Sequence, residues 1–211
     1  MKLYYSPAAC SLAAHITARE AGIPVELVKV DIASHTLEDG TDFYTINPRG
    51  YVPALRLDDG TLLTEVAAIV QYLGDLAPDS GVVPPAGTME RVHLQEWLTF
   101  ISSELHKAFS PWLWHKDTAE STRQAVLERL ALRLAELDRV LARQPYLLGQ
   151  GFSVADAYAF AIVNWSHFLR LSLTPYPALS AYMKRIAARA HVVEALQAEG
   201  LLKQAAAAAS H

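Results

Sequence analysis

The sequence predicts a chain of two unlike parts, an α/β unit over residues 1–77 and an all-α unit over 89–211, joined by a segment over 78–88. Three observations predict this. Short strand-like and helix-like runs alternate up to Leu76, in the order β-α-β, an irregular stretch, then β-β-α. Ala77–Thr88 then carries three prolines and two glycines, the composition of an ordered connector. Beyond it the periodicity is helical: Leu127, Leu130, Leu134, Leu137 and Leu141 recur three and four residues apart, marking one buried stripe.

Each element has a local reason. Lys2–Tyr5, Val25–Asp31, Ala54–Leu57 and Thr61–Leu63 read as strands, and Asp58-Asp59-Gly60 as the hairpin turn joining the last two. Ser11–Ala21 reads as a helix stopped by Gly22, and Glu65–Leu76 as a second with Thr64 as its cap. Helices are expected near 89–110, 119–143, 154–170, 178–189 and 192–198, punctuated by Pro111, Pro145, Pro175 and Pro177. The Ala205–Ala209 run reads as a frayed end.

Composition excludes several function classes. The chain is 52% apolar and 19% charged, as expected of a protein that buries a sizeable core. No apolar run approaches the ~18 residues of a membrane helix. Ser6-Pro7 breaks the short apolar stretch that a signal sequence would need, so a cytoplasmic protein without a membrane partner is expected. Residues 1–76 hold 5 Lys/Arg against 10 Asp/Glu and the remainder 13 against 12, so neither part has the basic excess of a nucleic-acid binder. The eight histidines show no metal-ligand spacing, and no metal is expected.

Cys10 is the only cysteine, and it falls where the first strand gives way to a helix. Free N–H groups and the helix dipole favour an anion there, which can lower a thiol pKa and raise its reactivity. A small buried hydrophobe is the competing reading. Asn47-Pro48-Arg49-Gly50-Tyr51-Val52-Pro53-Ala54-Leu55 places Pro53 at a strand start, leaving Val52 extended with its backbone groups free to pair with a ligand, or simply forming an edge strand. Thr64-Glu65-Val66 opens a helix directly after a strand; the Val66 N–H can meet a carboxylate and Glu65 an ammonium, although capping alone also explains the pattern.

These segments, with Leu57-Asp-Asp-Gly-Thr-Leu-Leu-Thr-Glu65, Glu96-Trp97-Leu98, Ser103-Glu104-Leu105-His106-Lys107-Ala-Phe109 and Phe152-Ser153-Val-Ala-Asp156-Ala-Tyr158, stand in the order and spacing of the glutathione transferases. The chain most closely resembles their bacterial beta class. The resemblance implies an α/β thioredoxin-like N-terminal domain, an all-α C-terminal domain and a homodimer. It implies that glutathione is the cosubstrate, with Val52 on its cysteinyl backbone, Glu65 and Val66 on its γ-glutamyl end, and Cys10 beside its sulfur. The glutathione thiolate would attack a small hydrophobic electrophile. Tyr5, Ser11 and His106 are candidate donors to that thiolate, and Cys10 adds the option of thiol–disulfide exchange or peroxidase chemistry.

In helix 89–110, Thr99, Ser103, His106 and Lys107 form a polar stripe beside an apolar face of Leu94, Leu98, Ile101, Leu105 and Phe109. The resemblance draws Thr99, Ser103 and His106 into the site; Lys107 reads as solvated. His35 stands where beta-class members often have a lysine for the glycyl carboxylate, and histidine pairs well only when protonated. Val66 and Thr99 likewise replace a small or hydroxylated residue and a frequent asparagine. Ser153 and Asp156 form a capping box, so both are assigned to structure. Phe109, Trp112, Trp114 and Trp165 line a cosubstrate pocket or belong to the core. Two rival functions keep the same fold: a glutathione-dependent isomerase or dehalogenase of aromatic compounds, and a non-catalytic ligand-binding protein.

Overall fold

Strand β1 (Lys2–Tyr5) is the centre of a five-stranded mixed sheet in the computed structural model, which describes residues 1–202; the Ala205–Ala209 run lies outside them. The other strands are β2 (Glu26–Asp31), β3 (Thr36–Leu37), β4 (Ala54–Arg56) and β5 (Leu62–Thr64), in the spatial order β3-β2-β1-β4-β5. β1 pairs parallel with β2 and antiparallel with β4, with Leu3 opposite Leu27 on one side and Leu55 on the other. Helix α1 (Leu12–Glu20) makes the crossover that a parallel pair requires. Strand alternation divides the burial. Leu3 and Leu55 join the core under α1 and α2 (Val66–Asp75), while Tyr4, Val30, Ala54 and Phe43 form a small cluster on the opposite face. The two-residue β3 has no sequence signal of its own; it forms by pairing its Thr36 and Leu37 with the end of β2.

The connector is tied down. A side chain at Gly74 would place its Cβ 2.1 Å from Val83 Cγ2, so only glycine lets α2 approach this segment. Arg91 Nε donates to Pro84 O at 2.7 Å, and its guanidinium pairs with Asp75.

Helix α3 (Met89–Phe100), capped by Thr88 Oγ1, does not continue to residue 110 as one α-helix. A π-helical turn, Ile101–His106, intervenes before α4 (Lys107–Phe109). The Ser102 and Ser103 hydroxyls both donate to Thr99 O, at 3.0 and 2.9 Å, competing for the carbonyl that a regular ladder would offer to the Ser103 N–H. In α5 (Glu120–Leu141), Leu130, Leu134, Leu137 and Leu141 are buried as their spacing predicts, and Leu127 is partly so. The helix expected over 154–170 breaks at Asn164 into α6 (Val154–Val163), buried on every side, and α7 (Trp165–Phe168). α8 (Pro177–Ala187) and α9 (Ala190–Ala198) complete the helical layer. Helix α1 lies between the layers, against α2 on one side and α6 and α9 on the other.

Candidate active site

The turn Asn47–Val52 organises one wall of the site. Asn47 Nδ2 donates to Tyr51 O at 2.8 Å and Asn47 Oδ1 accepts the Arg49 N–H at 3.2 Å, so a single buried side chain fixes the turn. Gly50 adopts φ +68°, and a Cβ there would lie 2.6 Å from the Tyr44 ring and 3.0 Å from His35 Nδ1. Three separate segments reach this turn. Cys10 Sγ donates to Val52 O at 3.2 Å, His35 Nδ1 donates to Gly50 O at 3.1 Å, and Arg49 pairs with Glu65 at 3.0 Å. The Val52–Pro53 bond is cis.

Because a carbonyl only accepts, His35 Nδ1 must carry its hydrogen. Nε2, which has no protein partner among the described residues, then gains a hydrogen only when the ring is charged. The ring packs against Tyr44 in a tilted arrangement, with centroids 4.6 Å apart.

The start of α2 differs from the expectation. Thr64 is the last residue of β5, and Glu65 holds the cap position without a side-chain cap bond. Glu65 has φ 69°, a conformation that costs a side-chain-bearing residue of order 1–3 kcal/mol and tends to persist where function demands it. Its carboxylate is 73% exposed, and among the described residues its one polar partner is Arg49. Val66 is buried, leaving its backbone as its polar offering.

Cys10 corrects the expectation of an acidic thiol. It is 9% exposed, and burial pushes its pKa up to about 12, against smaller lowering contributions from its own and the Ser11 backbone N–H and from Lys107. Desolvation outweighs the helix terminus, so the group is a neutral S–H donor. Ser11 is also corrected. It is fully buried, its Oγ donates to Ser6 O and accepts the Ser6 N–H, both at 3.2 Å, and no hydrogen remains for a ligand sulfur. Tyr5 is 8% exposed; burial, then Glu199 and Glu38, raises its pKa. Its ring packs on His15 at 6.3 Å, and its hydroxyl makes no hydrogen bond to Cys10.

The opposite wall comes from the helical layer. His106 ends the π turn, and its Nδ1 lies 2.8 Å from the Tyr158 hydroxyl. Burial, then Lys107, lowers the His106 pKa to about 4, leaving a neutral imidazole at physiological pH. Burial raises the Tyr158 phenol pKa, with Cys10 and Glu65 adding to the shift. Trp165 meets His106, Phe109 and Trp114 edge-on at 5.1, 6.1 and 5.8 Å. Phe109 and Trp165 are buried, whereas Trp112 and Trp114 are about half exposed, so the cluster runs from core to surface. Thr99 and Ser103 stay outside this group: both are exposed, and their hydroxyls donate to Gln95 O and Thr99 O of their own helix.

Sequence reasoning missed what holds the Cys10 loop. The Ala8 N–H donates to Glu199 Oε2 at 3.1 Å, and the Trp165 indole donates to Ala8 O at 2.7 Å. Glu199 Oε1 lies 2.9 Å from His15 Nδ1, and His15 Nε2 receives the Arg19 Nε–H at 2.9 Å. An arginine can only donate, so His15 carries its hydrogen on Nδ1 and gives it to Glu199. Residues 184 positions apart thus fix the loop, and no local pattern announces them. Lys107 is exposed, as read, and its charge lowers the pKa of both Cys10 and His106. Arg49 and Tyr158 stood inside quoted motifs without a role.

Asp156 is fully buried; Ser153 N and Oγ both donate to its Oδ2 at 2.8 Å, and Leu147 N and Tyr182 OH to its Oδ1 at 2.9 and 3.0 Å. The capping box is present, and its carboxylate has no lone pair left for chemistry. Among the described residues no group of His, Cys, Asp and Glu could hold a metal ion, and no helix is long and apolar enough to cross a membrane.

Both parts of the chain match known proteins. Residues 8–76 match the model of the glutathione S-transferase N-terminal domain, and residues 100–190 that of the C-terminal domain. The chain is 45% identical to the glutathione S-transferase GstA of Escherichia coli O157:H7, over 95% of this chain and 100% of that protein. A sphingomonad glutathione S-transferase complexed with glutathione is similar at a TM-score of 0.91 and 46% identity, covering 96% of this chain and 100% of the other. A bacterial beta-class transferase from Sphingomonas chungbukensis is similar at 0.91 and 44%, with the same coverage.

Proposed function

The chain belongs to the glutathione S-transferase family, as an enzyme of the bacterial beta class, and from that premise we propose how its residues divide the work. Glutathione lies along the Asn47–Val52 turn. His35 Nε2 faces its glycyl carboxylate, the Val52 backbone pairs with its cysteinyl unit, and Glu65 with the Val66 N–H takes its γ-glutamyl end. The observation that carries this reading is the convergence of Cys10, His35 and the Arg49–Glu65 pair on one short turn. Thr99 and Ser103, with exposed and internally bonded hydroxyls, take the outer edge of the ligand. Residues 1–77 act as the glutathione-binding unit and 89–211 as the cosubstrate unit, with 78–88 joining them, in a cytoplasmic homodimer.

The bound thiolate attacks the electrophilic carbon of a hydrophobic cosubstrate, the C–S bond forming as the leaving group departs with its electron pair. Trp112 and Trp114 offer the apolar surface for that cosubstrate, backed by the buried Phe109 and Trp165. The single S–H of Cys10 is committed to Val52 O, which leaves the His106–Tyr158 pair as the donor to the bound sulfur. Disulfide exchange through Cys10 is disfavoured before ligand binds: a pKa near 12 leaves roughly one thiolate in 10⁴–10⁵ at pH 7.5.

Glutathione-dependent turnover of an activated aryl halide tests the reading. Turnover should vanish without glutathione, and both Glu65→Ala and His106→Ala should reduce kcat/KM. An enzyme that conjugates normally in both variants has its site elsewhere.

A further inference from the structure

The Arg49–Glu65 pair sits beside the place just given to the γ-glutamyl end, and its chemistry fits more of the ligand than an ammonium. That end is a free amino acid, with an ammonium and a carboxylate on one carbon. Glu65 matches the ammonium but repels the carboxylate next to it. A cation beside Glu65 removes that conflict, and Arg49 is held there at 3.0 Å. Of the other cations of the sheet unit, Lys2 pairs with Glu26, Arg19 with His15 and Glu194, and Lys29 with Glu38, while Arg56 sits at the far end of β4, opposite Leu62 rather than beside Thr64 and Glu65. Helix α2 carries no cation, and Val66 at its start has no side-chain donor. Arg49 is 63% exposed, so it can meet a ligand while its backbone is fixed by Asn47.

We infer that Arg49 is a specificity-determining residue: its guanidinium takes the α-carboxylate of the γ-glutamyl end while Glu65 takes the ammonium, so the site selects a zwitterion. The inference rests on the placement of glutathione proposed above. An arginine presents several N–H groups in one plane, enough to hold Glu65 and a second carboxylate together.

Calorimetry with two ligands separates this from a merely structural role. One is S-methylglutathione; the other is its γ-aminobutyryl analogue, which keeps the ammonium and lacks the α-carboxylate. Wild type should bind the first at least tenfold more tightly. Arg49→Met should weaken S-methylglutathione about tenfold and change the analogue less than threefold. Arg49→Lys, which restores the charge, should recover most of the loss. Equal weakening of both ligands would mean that Arg49 only supports the turn or Glu65, and no weakening of either would mean that it is a bystander; each overturns the inference. If wild type binds neither ligand, the glutathione placement itself fails and takes this inference with it.

Discussion

Asp156, in the first turn of α6, and Glu65, at the start of α2, are both carboxylates at a helix N-terminus, yet one is fully buried and the other 73% exposed. The buried carboxylate receives four hydrogen bonds from the fold around it, while the exposed one has, among the described residues, a single partner on a neighbouring turn. Their backbones differ as well: Asp156 sits in a regular helix, Glu65 at φ 69°. A carboxylate whose lone pairs are all taken can only hold structure. One that is exposed, thinly partnered and kept in a costly backbone conformation is available to a ligand. The contrast teaches that helix dipole and residue type do not assign a role; the remaining hydrogen-bonding capacity does.

The strongest way to break that contrast is to delete the buried member. Burial pushes the Asp156 carboxyl up and its donors pull it back, so the side chain is held by a balance that its removal destroys. Asp156→Ala orphans Ser153 N and Oγ, Leu147 N and Tyr182 OH, and should cost about 3–5 kcal/mol of stability. Chemical denaturation measures it. A loss within 1 kcal/mol, at roughly the size of an ordinary surface change, would show that the four bonds contribute little.

His106 extends the buried side of the contrast to a titrating group. Its folded pKa is depressed to about 4 from 6.5. The unfolded chain therefore takes up a proton that the folded chain refuses, and the stability tied to the neutral ring is complete above pH 6.5 and lost as pH falls toward 4. Unfolding free energies compared between pH 7 and 4.5 should drop by about 2–3 kcal/mol more in wild type than in His106→Phe. Identical pH dependence in the two proteins would mean that the ring is not desolvated.

On the open side the readout moves from stability to affinity. Glu65→Ala should weaken glutathione binding by about 1–3 kcal/mol, for the loss of a charged hydrogen bond, and leave the denaturation midpoint nearly unchanged. Glu65→Gly adds a sharper test. Glycine accepts φ 69° without penalty, so this variant should be more stable than Glu65→Ala by about 1 kcal/mol and no better at binding. A stability collapse with unchanged binding would make Glu65 a second Asp156 and erase the contrast.

Local chemistry decided which of these features the sequence could reveal. The Ser153–Asp156 box lies within four residues, and the hairpin at Asp58-Asp59-Gly60 within three, so both are readable. The leucine stripe of α5 is equally local in its period. The position of Cys10 at a strand–helix junction was readable, but its desolvation was not, because the loop that carries it is tied at Ala8 to Glu199 and Trp165, more than 150 positions away. Ser11 looked like a free hydroxyl until the Ser6 backbone took both of its bonds. The polar stripe of α3 presumed a regular helix, and the π turn at Ile101–His106 instead parts His106 from Thr99 and Ser103. The Glu199–His15 bond spans 184 positions and follows from packing alone.

His35 gives the smallest expected effect and the finest probe of the open side. With Nδ1 committed to Gly50 O, only the protonated ring can present an N–H at Nε2 to the glycyl carboxylate. Bound ligand must then favour the protonated form, and linkage requires affinity to fall as pH rises. The thiol of glutathione ionises in the opposite sense, so the measurement uses S-methylglutathione, whose sulfur does not titrate. Dissociation constants taken from pH 5.5 to 8 should rise several-fold, with the weakest binding at the alkaline end. His35→Lys keeps a charge across that span, so it should flatten the profile and bind more tightly at pH 8. The φ of 54° at His35 disfavours either side chain alike, so the comparison reads charge rather than backbone strain. A wild-type profile already flat over this range would separate His35 from the ligand carboxylate and leave its hydrogen bond to Gly50 as a purely structural tie.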